Sequence, residues 1–357
     1  MSRFLSEKYQ SLTPYTPGEQ PRERRYIKLN TNESPFPPSD KAISKAAEAA
    51  SNLQLYSDPE AKILTGKVAE LCGLTPDCVL CTNGSDEILN FAFMAFCDRK
   101  RPAVFPDITY GFYSVFAELN GVSYEEIPLC DDFSLNINDY IGINKNIFIA
   151  NPNAPTGIAL GLCDIENIVV SNPDNIVVID EAYVDFGGES AVGLTKKYDN
   201  LLVTQTFSKS RSMAGARLGF GVACPSLIAD LNMIKYSTNP YNINSMTMAA
   251  GIGALEDESY TQQNCKTVIE NREYAASELK KLGFTMTESR ANFLFARHEA
   301  IDGGELYKRL REKGILVRHF CKPRISDYNR ITVGSRSEME ALVRAVTEIL
   351  EEINEKK

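Results

Sequence analysis

The stretch that decides the fold runs from Thr206 to Gly219 and reads TFSKSRSMAGARLG. It continues the apolar segment 201–204, which is typical of a β-strand. Lys209 stands near its start among hydroxyl side chains, and Arg217 follows eight residues later. A lysine in this position can form a Schiff base with an aldehyde, while hydroxyls and an arginine can hold a phosphate. Taken alone, however, a lysine is most often an exposed surface residue.

Two further motifs follow apolar runs of the same kind. NPNAPTG occupies 151–157 after the run 147–150, and DEAY occupies 180–183 after the run 176–179. Short, wholly apolar runs that are rich in β-branched residues indicate parallel strands buried on both faces. Ligands of open α/β sheets bind beyond the carboxyl ends of such strands, so all three motifs can meet at one ligand.

The composition is that of an ordinary globular protein. Of 357 residues, 43% are hydrophobic and 24% are charged, and this length favours two domains or one large domain with an appendage. The net charge of −9 argues against nucleic-acid binding, which needs a basic surface. No apolar run approaches the roughly 20 residues that span a bilayer, and residues 1–8 lack the apolar segment of a signal peptide. We therefore expect a cytoplasmic protein without membrane contacts.

The cysteines do not form a recognisable framework. Their number, nine, is odd and they are scattered along the chain, which indicates reduced thiols rather than disulfides. Cys78 and Cys81 have the spacing of a redox or zinc pair, but no second pair exists and the chain has only two histidines. A strand with alternating side chains explains this pair better, and we expect no metal.

Alternating strand-like and helical segments predict a mostly parallel α/β sheet in the first part of the chain. Its expected strands lie at 78–82, 103–105, 123–129, 147–150, 176–179, 201–206 and 218–223. Beyond residue 245 a long helix, short strands and a final amphipathic helix predict a compact α+β domain. The chain is accordingly divided into an extended N-terminal arm, a large domain and a small domain, with bounds 1–30, 31–245 and 246–357.

Together, the three motifs resemble the fold type I enzymes that use pyridoxal 5′-phosphate, in the class I and II aminotransferase family. The resemblance covers nearly the whole chain and is strongest to the histidinol-phosphate aminotransferases. Counterparts of that family stand at 29–33, 109–113, 214–220 and 330–334. The resemblance implies a large domain with a mostly parallel, seven-stranded sheet, a smaller C-terminal α+β domain, and pyridoxal 5′-phosphate as the cofactor.

The resemblance assigns catalytic roles to three residues. Lys209 would hold the cofactor as a Schiff base and then move the substrate's proton, which requires an amine that is neutral part of the time. Asp180 would pair with the pyridine nitrogen and keep it protonated, and Tyr183 would hydrogen-bond the ring's 3′-oxygen. From the residues alone, Asp180 could instead cap a helix that follows its strand.

Other cofactor contacts implied by the resemblance surround the phosphate and the ring. The phosphate would be held by the start of a helix, whose backbone N–H groups suit an anion, and by hydroxyl and guanidinium groups. The residues concerned are Gly84, Ser85, Asp86, Thr206, Ser208 and Arg217. Tyr110 would stack on the ring, with an ordinary place in the core as the alternative.

One position departs from the family pattern. Family enzymes usually place an asparagine directly before Pro-Thr-Gly, where it reaches the 3′-oxygen, but this chain has Ala154 there and Asn153 one residue earlier. Either Asn153 makes the cofactor contact through a shifted backbone, or that hydrogen bond is missing and Asn153 is a turn residue.

The resemblance also implies how substrate and a second subunit are bound. Arg330 and Arg318 match residues that grip the substrate's carboxylate or phosphate, for which a planar guanidinium is suited. Tyr15 on the arm would close over the substrate. Tyr56 matches a tyrosine that reaches the cofactor phosphate of the partner subunit, which implies a homodimer with its active sites at the interface.

The function that the resemblance implies is a ping-pong transamination in histidine biosynthesis. It would exchange an amino group between histidinol phosphate or imidazole-acetol phosphate and glutamate or 2-oxoglutarate. Aromatic amino-acid aminotransferases and threonine-phosphate decarboxylase share most of these motifs and remain alternatives. A non-catalytic regulator that binds the same cofactor is a remote alternative, since about 30 residues ahead of the motifs are too few for a DNA-binding module.

Overall fold

The computed structural model describes residues 2–10, 12–21 and 23–355. Strands and helices alternate through most of the chain. The strands are β1 (Ile27–Lys28), β2 (Val79–Thr82), β3 (Ala103–Pro106), β4 (Tyr124–Ile127), β5 (Asn146–Ala150), β6 (Val177–Asp180), β7 (Leu201–Thr206), β8 (Gly219–Val222), β9 (Thr285–Met286), β10 (Phe293–Arg297), β11 (Ile315–Leu316), β12 (Arg318–His319) and β13 (Asn329–Thr332). The helices are α1 (Asp40–Ala50), α2 (Lys62–Cys72), α3 (Ser85–Phe96), α4 (Phe112–Asn120), α5 (Leu162–Ser171), α6 (Pro225–Thr238), α7 (Ser245–Leu255), α8 (Glu258–Lys281), α9 (Gly303–Glu312) and α10 (Arg336–Asn354).

A seven-stranded sheet forms the larger part of the molecule, with the strand order β2-β8-β7-β6-β5-β3-β4. The neighbours from β7 to β4 pair in parallel, whereas β8 is antiparallel to both β2 and β7. The predicted mixed α/β fold with a mostly parallel sheet is confirmed, and each strand of this sheet overlaps a predicted run.

The central strands are apolar because helices cover the sheet on both faces. Every residue of β5 and β6 is buried, and alternate side chains enter two different hydrophobic clusters. Ile147 and Ile149 of β5 pack in one cluster, while Phe148 packs in the other against Phe93 of α3. A continuous apolar run, rather than an alternating one, is the expected pattern for a strand buried on both faces.

A smaller antiparallel sheet, with the order β12-β13-β10-β9, packs with α8, α9 and α10. Ser335 caps the start of the final helix, α10. Its side chain accepts the Glu338 N–H, and the Glu338 carboxylate accepts the Ser335 N–H. Such a capping box stabilises a helix start by about 1 kcal/mol. The apolar side chains of this helix predicted at helical spacing include Leu342, Val346 and Ile349, and all three are buried.

The arm and the C-terminal part are joined by a two-stranded parallel pair of β1 with β11. Thr332 and Asn32 continue this connection, because the Thr332 N–H donates to the Leu29 carbonyl and the Asn32 N–H donates to the Thr332 hydroxyl. The family motif 29–33 is thus tied to the smaller sheet. The domain bounds 1–30, 31–245 and 246–357 stay a prediction.

The sequence favours neither a metal site nor a membrane-spanning helix, and it favours a strand over a redox or zinc pair at Cys78 and Cys81. Cys81 lies in β2, where burial raises the pKa of its thiol to about 12. Among the described ranges, no three His, Cys, Asp or Glu side chains converge in a way that could hold a metal ion. Within the same ranges, no helix has both the length and the apolar character needed to cross a membrane.

Candidate active site

A cavity of about 280 Å³ lies beyond the carboxyl ends of β5, β6 and β7. Because these strands are parallel neighbours, their ends meet at one edge of the sheet, where ligands of such folds bind. Most of the predicted cofactor residues line this cavity, namely Ser85, Asp86, Tyr110, Asp180, Tyr183, Thr206, Ser208, Lys209 and Arg217. The convergence expected from three separate motifs is therefore present in the fold.

Asp180 is the last residue of β6 and is only 4% exposed. One carboxylate oxygen accepts a hydrogen bond from Tyr113 Oη at 3.0 Å, and the other accepts the Ala182 N–H at 3.3 Å. Burial raises the pKa of Asp180 to about 7, although the Tyr113 hydrogen bond opposes the shift. A buried carboxyl of this kind favours a positively charged partner, because such a partner offsets the cost of its ionisation.

Lys209 approaches the cavity from the loop that follows β7. Its Nζ lies 3.4 Å from the Thr31 carbonyl oxygen and 5.7 Å from the centre of the Tyr183 ring. The buried Phe207 anchors this loop, since its backbone N–H donates to Leu218 and its carbonyl accepts the Met213 N–H. The lysine amine therefore stands on a fixed backbone and lines the same cavity as Asp180.

The hydroxyl of Tyr183 accepts a hydrogen bond from Asn32, a residue whose role was not predicted from the sequence. Asn32 Nδ2 donates to Tyr183 Oη at 2.9 Å, and Asn32 Oδ1 accepts from Thr332 Oγ1 at 3.1 Å. Asn32 is buried and has a φ of 55°, a left-handed conformation that asparagine tolerates better than most residues. The sequence signal for Asn32 was its place in the family motif 29–33.

The predicted phosphate cup is assembled from the start of α3 and the loop after β7. Arg217 Nη2 pairs with Asp86 Oδ2 at 3.1 Å, and Arg217 Nη1 lies 3.4 Å from Ser208 Oγ. Thr206 Oγ1 donates to Ser208 Oγ at 3.0 Å. The first N–H groups of a helix have no partner within the helix, so Ser85 and Asp86 can present theirs to an anion.

Gly84 allows Arg217 to approach the start of α3 closely. Its φ is +83°, and a Cβ at this position would stand 2.7 Å from Arg217 Nη2. Gly219 allows β8 to approach the start of α3 closely, because a Cβ there would stand 2.3 Å from the Ser85 nitrogen. The glycines let the helix start, the guanidinium and β8 approach one another, which is the cradle that a phosphate needs.

Asn153 does not line this cavity, whereas Ala154 does. The Asn153 side chain donates to the Ile108 carbonyl and to Thr156 Oγ1, both at 3.0 Å, and accepts from Thr109 Oγ1 at 2.8 Å. Its amide therefore fixes the surrounding loops. Whether Asn153 contacts the cofactor or is a turn residue stays a prediction.

Tyr110 lies at the cavity, whereas Tyr56 lies on the exposed surface. Tyr110 lines the cavity and donates to Asp86 Oδ1 at 2.7 Å, with its ring edge-on to Tyr113 at 5.7 Å. Tyr56 is 84% exposed and stacks on Tyr241 at 4.6 Å. It does not line this chain's own cavity.

A second cavity of about 280 Å³ opens next to the first and shares Tyr110, Tyr183 and Lys209 with it. Tyr15, Arg318 and Arg330 also line it, and its lining contains no aspartate or glutamate. This second cavity is therefore suited to a negatively charged group placed beside the lysine.

Its arginines are held by backbone carbonyls. Arg330 Nη2 donates to the Asn30 carbonyl at 3.1 Å, and burial lowers the pKa of Arg330. Arg318 donates to the carbonyls of Thr16 and Pro17 at 3.0 and 3.2 Å. Because the arm lies against Arg318, and Tyr15 stacks on Phe112 at 4.3 Å, the arm covers one side of this second cavity.

Comparison with known proteins identifies the family. The sequence model described as aminotransferase class I and II matches residues 24–346. The chain is 49% identical over 352 residues to the histidinol-phosphate aminotransferase of Brachyspira hyodysenteriae (strain ATCC 49526 / WA1), which covers 98% of this chain and 99% of the relative.

Solved structures share the fold. Histidinol-phosphate aminotransferase from Sinorhizobium meliloti, solved in complex with pyridoxal-5′-phosphate, superposes with a TM-score of 0.89 over 99% of both chains at 22% identity. L-threonine-O-3-phosphate decarboxylase from Porphyromonas gingivalis gives a TM-score of 0.80 at 21% identity and covers 91% of this chain and 99% of its own. With the family model matching most of its length, the chain belongs to the class I and II aminotransferase family.

Proposed function

We propose that this aminotransferase uses pyridoxal 5′-phosphate to exchange an amino group between histidinol phosphate or imidazole-acetol phosphate and glutamate or 2-oxoglutarate. The reaction belongs to histidine biosynthesis. The observation that carries the proposal is the 49% identity to a histidinol-phosphate aminotransferase over nearly the full length of both chains. The site supports it, because the Lys209 amine, the buried Asp180 carboxyl, the start of α3 and Arg217 line one cavity.

Each residue of the cavity has a defined task in this proposal. When bound, pyridoxal 5′-phosphate supplies an aldehyde for covalent attachment and a ring that withdraws electrons from the substrate. Lys209 provides the amine and moves the proton, and Asp180 holds a positive charge on the ring nitrogen. Tyr183, whose hydroxyl accepts a hydrogen bond from Asn32, would donate to the ring's 3′-oxygen. Arg217 and the start of α3 hold the phosphate.

The second cavity supplies the substrate contacts. Arg330 and Arg318 bind the two carboxylates of glutamate, since a guanidinium grips a carboxylate in bidentate fashion. Histidinol phosphate lacks an α-carboxylate, so its phosphate engages the same acid-free surface. Tyr15, on the arm that contacts Arg318, covers the bound substrate.

A competition assay tests the substrate. Purified protein with pyridoxal 5′-phosphate and glutamate is given imidazole-acetol phosphate or phenylpyruvate, and 2-oxoglutarate is measured. We expect a kcat/KM at least about 100-fold higher for the phosphorylated acceptor, because its phosphate would bind the cations that line the second cavity and phenylpyruvate has no phosphate. Equal use of phenylpyruvate would support the aromatic alternative. Release of carbon dioxide from threonine phosphate would support the decarboxylase alternative.

We also propose a homodimer with the active sites at the interface, in the cytoplasm as the sequence predicts. The support is an exposed apolar surface formed by segments 53–63 and 233–246. Its exposed members are Leu53, Leu55, Tyr56, Ile63, Met233, Tyr236, Tyr241 and Met246. The Tyr56–Tyr241 stack and a hydrogen bond from Ser57 Oγ to the Ile243 carbonyl join the two segments. Large contiguous apolar surfaces of this kind mark protein interfaces.

Tyr56→Phe should raise the dissociation constant of pyridoxal 5′-phosphate by about two- to tenfold, because one hydrogen bond to a charged phosphate is lost. Titration of the cofactor-free protein, followed by absorbance, measures this constant, and Tyr241→Phe serves as the matched control. Mixed dimers of Tyr56→Phe and Lys209→Ala chains contain one site with both residues intact, which should bind with unmodified affinity. If no site of the mixed dimer bound the cofactor with unmodified affinity, Tyr56 would belong to its own chain's site instead.

A further inference from the structure

Glu87, in the first turn of α3, connects two segments that are far apart in the sequence. Its Oε2 accepts the backbone N–H of Asn83 at 2.8 Å and Asn242 Nδ2 at 2.5 Å. Asn83 directly precedes Gly84 in the proposed phosphate turn, 83–86. Asn242 is 8% exposed and lies in the loop between α6 and α7.

A helix cap explains only the first of these contacts. An acid at the third helical position often reaches back to a backbone N–H ahead of the helix. Through the Asn83 N–H, Glu87 is bonded to the turn whose later residues, Ser85 and Asp86, line the cavity. The contact with Asn242, 155 residues away, is not part of any cap.

The loop that carries Asn242 also holds the segment that carries Tyr56. Tyr241 stacks on Tyr56, and the Ile243 carbonyl accepts from Ser57 Oγ at 2.7 Å. Three consecutive residues of the loop therefore make different contacts. Tyr241 and Ile243 contact the Tyr56 segment of the proposed subunit interface, and Asn242 between them contacts Glu87, which is bonded to the proposed phosphate turn.

A buried lysine strengthens the same connection. Lys235 of α6 is buried and donates to the Pro59 carbonyl, three residues after Tyr56. Burial lowers the pKa of Lys235, and the nearby Cys81 thiol and the carboxylates of Glu87, Asp58 and Glu60 oppose that shift. The Lys235 charge therefore interacts favourably both with the carboxylate that contacts the turn and with those of the Tyr56 segment.

We infer that Glu87 is a positioning residue that ties the phosphate turn 83–86 to the subunit interface through Asn242. This inference rests on the proposed function and on the proposed dimer. When the interface fixes Asn242, Asn242 fixes Glu87, and Glu87 fixes the turn before the phosphate arrives. Binding then does not have to order the turn, and such preorganisation increases affinity.

The experiment uses the full-length protein with Glu87 replaced by methionine, which has a similar length but accepts no comparable hydrogen bond. We expect Glu87→Met to raise the dissociation constant of pyridoxal 5′-phosphate by about tenfold to hundredfold, since two hydrogen bonds to a carboxylate are lost. The phosphorus NMR shift of the bound cofactor phosphate should change as well, which a general loss of stability would not produce.

Two further variants separate the parts of the inference. Glu87→Gln keeps an oxygen for both donors and should stay within about threefold of the unmodified protein. Asn242→Ala lies in a loop, keeps the contact with Asn83, and should raise the dissociation constant by about three- to tenfold. An unchanged constant in Asn242→Ala would overturn the connection to the interface.

Cofactor binding by the unmodified chain distinguishes a failure of this inference from a failure of the proposed function. If the unmodified chain binds no pyridoxal 5′-phosphate, the proposed function is wrong. If the unmodified chain binds it at Lys209 while Glu87→Met shows the same dissociation constant and the same phosphorus shift, the proposed function stands and only the role of Glu87 is wrong.

Discussion

Lys209→Ala is expected to lower the rate of amino-group exchange by about 10⁴-fold or more, because it removes both the covalent attachment and the proton carrier. Lys209 Nζ is the lysine amine that lines the cavity shared with Asp180 and Tyr183. The alanine variant should also lack the absorbance band of the covalently held cofactor. Steady-state assays with glutamate and imidazole-acetol phosphate measure the rate.

The control for this prediction is another lysine of the same chain. Lys197 is largely exposed and pairs with Glu166 on the surface, so Lys197→Ala should keep its full rate. Borohydride reduction makes the attachment permanent, and peptide mapping should then find the label on Lys209. Label on a different lysine, or full activity in Lys209→Ala, would contradict the assignment of Lys209.

The fold was predictable because its strands carry their own signal. The runs 147–150, 176–179 and 201–204 are mostly apolar and rich in β-branched residues, and each is followed by a polar motif, as parallel strands with a ligand at their carboxyl ends require. The two-residue strands β1 and β12 were not predicted. A strand this short has no periodicity, and its existence depends on the neighbour with which it pairs.

The residues that support the site were harder to predict than those that line it. Tyr113 lies in a helix and reads as an ordinary core aromatic, and Asn32 lies in a motif that suggests no chemistry by itself. Tyr113 contacts Asp180 from 67 positions away, and Asn32 contacts Tyr183 from 151 positions away. Such pairs follow from the packing of distant elements, which no local pattern encodes.

The position before Pro-Thr-Gly shows what a sequence can and cannot decide. The motif raised two alternatives for Asn153, and the choice depended on the backbone around it. In the structure, the Asn153 amide is already bonded to Ile108, Thr109 and Thr156. An amide used in this way cannot turn to the cavity without leaving buried partners unpaired, which is costly.

Asp180→Asn is expected to lower kcat by about 10²- to 10⁴-fold with a much smaller effect on cofactor affinity. Asparagine keeps the shape of aspartate and can still accept from Tyr113 Oη, but it has no charge to hold a proton on the ring nitrogen. Lys209 and the phosphate cup remain, so the cofactor should still bind. Tyr113→Phe is the matched control, and its kcat should fall by no more than about tenfold, since it removes one hydrogen bond.

The same substitution should change how the stability of the cofactor-free protein depends on pH. Burial raises the pKa of Asp180 from 3.8 to about 7. Below the lower value the carboxyl is protonated in both the folded and the unfolded state. As the pH rises through about 7, the folded state either keeps a proton that the unfolded state has released or carries a buried charge, so the stability contributed by this group is lost.

Urea unfolding of the cofactor-free protein should therefore find Asp180→Asn more stable than the unmodified chain near pH 8, by at most about 4 kcal/mol, and nearly equal to it near pH 4. A difference that stays the same at both pH values would show that Asp180 is not the group whose ionisation the fold opposes.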